Sequence, residues 1–161
     1  MSYAYFGRPE RDIVRGGTHI AVYVVPVYQG RLVAFDVTAP QARGRWLPFT
    51  VLGFRQNPYE AAAGVADQWC GGMVTDLGIV DVMSFDVDGG GWELAIVFRA
   101  ELSHLPEPQR DRAPYVFEPG HFDAIARFDP VDLERWVTAG RPTVTETGPS
   151  SNGGDAPGMI F

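Results

Sequence analysis

Lysine is absent from this 161-residue chain, and all 13 of its basic residues are arginine. That removes chemistry requiring an amine side chain, such as a Schiff base or a P-loop lysine on a phosphate. Cysteine occurs once, at Cys70, which excludes a disulfide framework and a cysteine metal cluster and fits a reducing cytoplasm. His19, His104 and His121 are the only histidines. They are widely separated and form neither an H-x3-H nor an H-E-x-x-H pattern, so no zinc site is expected. No run of 18 apolar residues suggests a membrane span. The opening residues MSYAYFGRPERDIVR lack the hydrophobic stretch of a secretory leader. A net charge of -7 argues against a general nucleic-acid binder, which needs a basic contact face.

What is present suits one α+β domain over residues 1–140, followed by a tail at 141–161. Tyr3, Tyr5 and Phe6 are expected to pack on the body as part of a lead-in arm. HIAVYVVPV (residues 19–27) and LVAFDV (residues 32–37) are apolar runs flanking a tight turn at Tyr28-Gln29-Gly30-Arg31, which reads as a β-hairpin. Pro26 suggests a bulge or an edge position. Thr38 to Arg45 reads as a polar loop, and Trp46 to Phe54 as one strand returning to the sheet. Asn57 and Pro58 start a helix over about 58–70, with Ala62, Val65, Ala66 and Trp69 on its inward stripe and Gly71-Gly72 as its stop. Residues 75–88 and 92–102 read as strands around a glycine hairpin tip. Residues 103–119, rich in proline, read as a surface loop. Residues 122–128 suit a short strand or helical turn, and Asp129-Pro130 starts a second helix over about 130–138, with Gly140 as its stop. The tail is rich in Pro, Gly, Ser and Thr. Its apolar end, Met159, Ile160 and Phe161, is a candidate docking segment.

The stretch WLPFTVLGFRQNPYEAAAGVADQWCGG carries a resemblance. Its opening Trp46-Leu47-Pro48, the pair Ala61-Ala62 and Gly71 resemble the signature region of the Nudix superfamily, whose box reads G-x5-E-x7-R-E-U-x-E-E-x-G-U. Laid on this chain without a gap, the box glycine falls on Thr50, the first glutamate on Gln56 and the arginine on Gly64. The next glutamate falls on Val65, the glutamate pair on Gln68 and Trp69, and the closing glycine on Gly71. The resemblance covers roughly residues 17–138. It implies an α/β/α sandwich around a mixed, curved sheet, with the 58–70 helix as the signature helix.

In that superfamily the helix glutamates hold Mg²⁺ or Mn²⁺ against a diphosphate while a water attacks it, and hard cations of this kind need several carboxylate oxygens. No box position here carries a carboxylate. The resemblance thus implies the fold while its usual activity is expected to be missing, with no metal bound. Val65 and Trp69 are expected to plug or reshape the former metal cavity. The reading is a non-catalytic binding or scaffold subunit with a protein partner or a twin copy. The alternatives are a diverged hydrolase of a nucleoside diphosphate derivative using Mg²⁺ or Mn²⁺, or a non-cleaving sensor of a nucleotide or sugar-phosphate. Glu60 and Asp67, seven apart on one helix face, sit on the order of 10 Å apart, too far to share one ion. Asp36, Asp86, Asp88 and Glu93 read as solvated carboxylates. Arg43, Arg45 and Arg55, with Trp46 and Phe49, are candidates to hold a planar or anionic ligand. Cys70, at a helix C-terminus, is not expected to be a reactive thiolate.

Overall fold

The structure, a computed structural model, describes residues 18–87 and 91–139. The lead-in aromatics, Asp88, the first two glycines of the hairpin tip, Gly140 and the tail with Met159, Ile160 and Phe161 lie outside the described residues.

The strands are β1 (Thr18–Tyr28), β2 (Arg31–Val37), β3 (Gly44–Trp46), β4 (Phe49–Val51), β5 (Val74–Val87), β6 (Gly91–Leu102) and β7 (Arg112–Val116), and the helices are α1 (Pro58–Cys70) and α2 (Pro130–Thr138). They form a mixed sheet ordered β3-β2-β1-β6-β5, to which β4 adds on β1 and β7 on β2. β1 and β6 run parallel from Thr18↔Trp92 to Val27↔Glu101, and every other pairing is antiparallel. The β1–β2 turn places Gln29 at φ 50° and Gly30 at φ 76°. Two successive positive φ values give the turn twist that matches the flanking strands, and glycine tolerates the second without cost.

Alternation along the strands divides the core between two faces. Ala21, Tyr23, Val25, Leu32, Ala34, Ala95 and Val97 meet Leu133, Trp136 and Val137 of α2. Val22, Val24, Val33, Phe35, Phe98 and Ala100 meet Ala61, Ala62, Val65, Ala66 and Trp69 of α1. The small-residue stripe of α1 is the inward face that the helical spacing indicated. Both helices start as read from the sequence: the Asn57 side chain accepts from the Tyr59 and Glu60 amides, and the Asp129 side chain accepts from the Asp132 amide. Gly71 closes α1 in the left-handed region at φ 69°, where a Cβ would be strained.

Four expectations need correction. The Trp46–Phe54 segment is two short strands, not one: β3 pairs with β2 and β4 with β1, with Pro48 between them. Pro26 is at neither an edge nor a bulge, because it is buried in the central strand. Val24 N donates to Pro48 O, so Pro26, two residues on, faces the same side, beyond the β4 pairing and short of the hairpin rungs. A missing N–H costs little in that gap. The 103–119 segment contains β7, which carries Pro114 opposite Phe35 and among the described residues has β2 as its one partner, the edge setting that tolerates proline. Residues 122–128 form an irregular turn held by the Ile125–Phe128 bridge, with Ala126 at φ 52°.

Glu93 also departs from its reading as a solvated carboxylate, for it is fully buried under the α2 face. The Tyr23 hydroxyl donates to it at 3.0 Å, His19 Nε2 lies 2.7 Å away and Arg127 Nη1 2.9 Å away. His19, at the sheet end, is therefore held by this carboxylate. Burial pushes the Glu93 carboxyl up, but the His19 hydrogen bond, the Arg127 charge and the Tyr23 hydroxyl outweigh it and hold the group below its ordinary 4.5. A carboxylate lowered in this way adds stability above its unfolded pKa and loses that contribution as pH falls through the folded value. Glu93→Ala strands buried Arg127 and is expected to cost about 3–5 kcal/mol in urea unfolding at pH 7. The difference from wild type should shrink in acid, and a loss below about 1 kcal/mol at neutral pH would contradict the cluster's role.

Candidate functional site

The box positions converge on one cavity. Thr50, Gln56, Gly64, Val65, Gln68 and Trp69 line an open hollow of about 480 Å³ beside α1, joined by Phe49, Glu60, Ala61, Asp111 and Arg112. Gly71 is outside it, acting as the helix cap. α1 supplies most of the wall, β4 supplies Phe49 and Thr50, and the loop before β7 supplies Asp111 and Arg112.

Val65 and Trp69 do not plug this space. Each is 5% exposed and lies against the sheet, with the Trp69 ring edge-on to Phe35 at a centroid separation of 5.3 Å. Their apolar bulk goes to the core because hydrophobic burial favours the sheet over a water-facing hollow. Of the two expected outcomes, plugging is not what the structure has: the hollow beside these residues stays open. Gly64 contributes to the opening: a Cβ built there meets nothing within 4 Å.

The roof comes from a loop that the sequence reading gave no role. Gln109 Nε2 donates to Gln68 O at 3.1 Å, tying the loop to α1. Arg112 Nη2 donates to Gln109 Oε1 at 2.9 Å, and the guanidinium carbon sits 4.4 Å from the Trp69 ring centre. The Asp111 carbonyl accepts from the Thr38 amide at 3.0 Å. Asp111 and Arg112 reach the cavity through the pairing of β7 with β2, a long-range contact that no local periodicity announces. The one available signal was the short apolar run Tyr115-Val116-Phe117.

The five residues proposed from sequence to hold a ligand are dispersed. Phe49 lines this cavity. Arg55, at φ 63° and 5.2 Å from the Phe54 ring, lines a second groove near the start of β1, and Arg43 is exposed. Arg45 makes a forked pair with Asp36, at 2.7 and 3.2 Å, and lies 3.5 Å over the Tyr115 ring. Desolvation opposes that pairing, but the Asp36 hydrogen bond is the larger influence and raises the guanidinium pKa. Trp46 Nε1 donates to Ala42 O at 2.8 Å. Asp36 is thereby an ion-pair partner, while Asp86 is exposed. Glu60 lines the cavity and Asp67 a separate groove on the other flank of α1. Burial, ahead of the Asp67 charge, pushes the Cys70 thiol up to about 12 although Arg112 pulls the other way. The position at a helix C-terminus pointed to an unreactive thiol, and burial is the larger reason for it.

The donors do not match the carboxylate set that the resemblance implies for a divalent cation. The box positions offer two amides and a hydroxyl, and the cavity carboxylates are Glu60 and Asp111. Among the described residues no group of three or more His, Cys, Asp or Glu could hold a metal ion. Because Gly64 is a mid-helix glycine facing open space, Gly64→Ala is expected to raise stability by up to about 1 kcal/mol through helix propensity alone. A destabilising Gly64→Ala in chemical denaturation would show that the space is not open.

No family model matches the sequence, and no curated protein is significantly similar to it. The fold has solved counterparts. The chain superposes on a MutT Nudix hydrolase from Burkholderia pseudomallei with a TM-score of 0.60 at 19% identity, covering 73% of this chain and 97% of that one. It also superposes on a pyrophosphohydrolase from Bacillus subtilis with a TM-score of 0.54 at 18% identity, covering 74% and 82%. The mixed sheet with a helix on either face is a Nudix-like fold, with the cavity at the positions where the sequence resemblance places the box.

Proposed function

We propose that this chain is a Nudix-fold binding protein that holds a small molecule in the cavity beside α1 without metal-dependent cleavage of a diphosphate. The observation that carries this reading is the open 480 Å³ hollow lined by Thr50, Gln56, Gly64 and Gln68, where no box position supplies a carboxylate. Its volume is within the range of about 300–1,000 Å³ that small-molecule sites occupy. Glutamine keeps the outline of glutamate but presents a neutral carbonyl and an N–H donor pair, so Gln56 and Gln68 suit hydrogen bonding to a ligand better than charge neutralisation of a cation. Diphosphate hydrolysis in the superfamily manner needs the metal both to neutralise the leaving oxygens and to activate water. Without that charge the site binds and does not cut.

Incubation with nucleoside diphosphate derivatives and Mg²⁺ or Mn²⁺ is expected to release no phosphate above a no-protein control. Metal-dependent release that disappears in Glu60→Gln or Asp111→Asn would establish the diverged-hydrolase alternative.

A protein partner is favoured separately by the outer strand β5, where Ile79 and Val82 are 61% and 54% exposed. Unpaired strand edges carrying apolar side chains invite pairing with another chain. Light scattering should then give a mass above the 17.7 kDa monomer, reduced by Val82→Lys. A monomer at all concentrations would remove the twin-copy reading.

A further inference from the structure

We propose that residues 1–17, the segment leading into β1, fold back on their own domain and seat the aromatics Tyr3, Tyr5 and Phe6 in the apolar groove at the start of β1. Neither this docking nor its test depends on a ligand in the cavity beside α1.

The groove, of about 470 Å³, is formed by Ile20 of β1, Ile96 of β6, Leu52 and Phe54 of the connection from β4 to α1, and Pro58 at the helix start. Side chains alternate along a strand, so Ile20 faces the same side as Val22. Val22 is buried with α1 in the core, whereas Ile20 is 37% exposed. Ile96, opposite Val22 in the ladder, and Leu52 are half-buried, and Phe54 is 92% exposed. The backbone holds that ring in place. Gln56 N donates to Gly53 O at 3.2 Å and Gly53 N donates to Gln56 Oε1 at 3.1 Å, closing a tight turn with Phe54 and Arg55 at its tip. Leu52 N donates to Ile20 O at 2.8 Å, tying the base of the turn to β1. A turn fixed in this way, with its aromatic ring left in water beside other apolar groups, forgoes the gain of burial and marks a contact surface.

Attachment, composition and charge select the occupant. Residues 1–17 join the body at Thr18, which itself lines the groove. Tyr3, Tyr5 and Phe6 lie about a dozen residues upstream of that point. At about 3.3 Å per extended residue this stretch is long enough to return over the groove, and Gly16-Gly17 admits the sharp reversal that a return needs. A tether of this kind holds the aromatics at an effective concentration of about millimolar, which a separate partner has to supply by abundance. Arg8, Arg11 and Arg15 outnumber Glu10 and Asp12, so a net positive segment meets a chain whose total charge is -7. A second copy brings like charge instead. Gln56 also lines the cavity beside α1, so the turn that the aromatics cover is a wall of both hollows.

Isotope-edited NMR and tryptic digestion of the full chain test the docking. Nuclear Overhauser contacts are expected between the rings of Tyr3, Tyr5 or Phe6 and the side chains of Ile20, Leu52 or Ile96. They are expected to stay within one molecule when labelled and unlabelled chains are mixed. Cleavage after Arg8, Arg11 and Arg15 should be slower in the wild-type chain than in a variant carrying Tyr3→Ser, Tyr5→Ser and Phe6→Ser. Phe54→Ala, at a ring that the described body leaves exposed, should speed that cleavage by about tenfold or more, the factor expected for losing one buried aromatic contact. Combining it with the serine changes should add nothing further. Equal cleavage rates in the wild type and the serine variant overturn the docking. Ring contacts found only between labelled and unlabelled chains also overturn it, by making the occupant a second copy, and ring contacts to another part of the body overturn the choice of groove.

Discussion

The parallel pairing of β1 with β6 is the constraint from which the rest of the architecture follows. It runs from Thr18↔Trp92 to Val27↔Glu101 and joins segments far apart in the chain, fixing which side chains face each helix. Parallel strands are buried on both faces and need cover on each. α2 covers the face carrying Tyr23, Ala95 and Val97, and α1 covers the face carrying Val22, Val24 and Phe98. The two helices therefore have different tasks. α2 seals a closed side whose buried charge, Glu93, is matched by His19, Tyr23 and Arg127. α1 seals the sheet with one stripe and leaves its other flank to form a wall.

That division of α1 accounts for the cavity. Alanines at 61, 62 and 66 bring the helix close to the sheet, while Val65 and Trp69 lie down into the gap. The flank bearing Glu60, Gly64 and Gln68 is exposed. Arg112 closes over Trp69 from the loop side, so the tryptophan is held between a guanidinium and the edge contact with Phe35. The positions where the resemblance expects carboxylates thus split into two groups. Val65 and Trp69 have joined the core, and Gln56 and Gln68 remain at the opening as neutral hydrogen-bonding groups.

Much of this was legible in the sequence wherever a local rule governed it. The bounds of α1 and α2 follow from Asn57-Pro58 and Asp129-Pro130 at their starts, and the first hairpin follows from Gln29-Gly30. Longer-range features were not legible. β7 depends on pairing with β2, and its proline marked the segment as loop. The division of Trp46–Phe54 depends on β1 and β2 separating beyond their hairpin, so that each accepts its own short strand. Glu93 reads as one carboxylate in an alternating strand, and only the arrival of Arg127 from a distant turn permits its burial. The cavity was the hardest to foresee, because Val65 and Trp69 have enough bulk to fill it and only their packing against the sheet leaves it open.

The proposed binding role requires that the open hollow beside α1 take up no divalent ion. Manganese titration of the ¹⁵N-labelled chain tests it most directly, since a bound paramagnetic ion broadens amide signals near it. The amides of Gln56, Glu60, Gly64 and Gln68 are expected to be no more broadened than those of exposed residues elsewhere at stoichiometric Mn²⁺. Selective loss of those signals, reversed by EDTA, would contradict it.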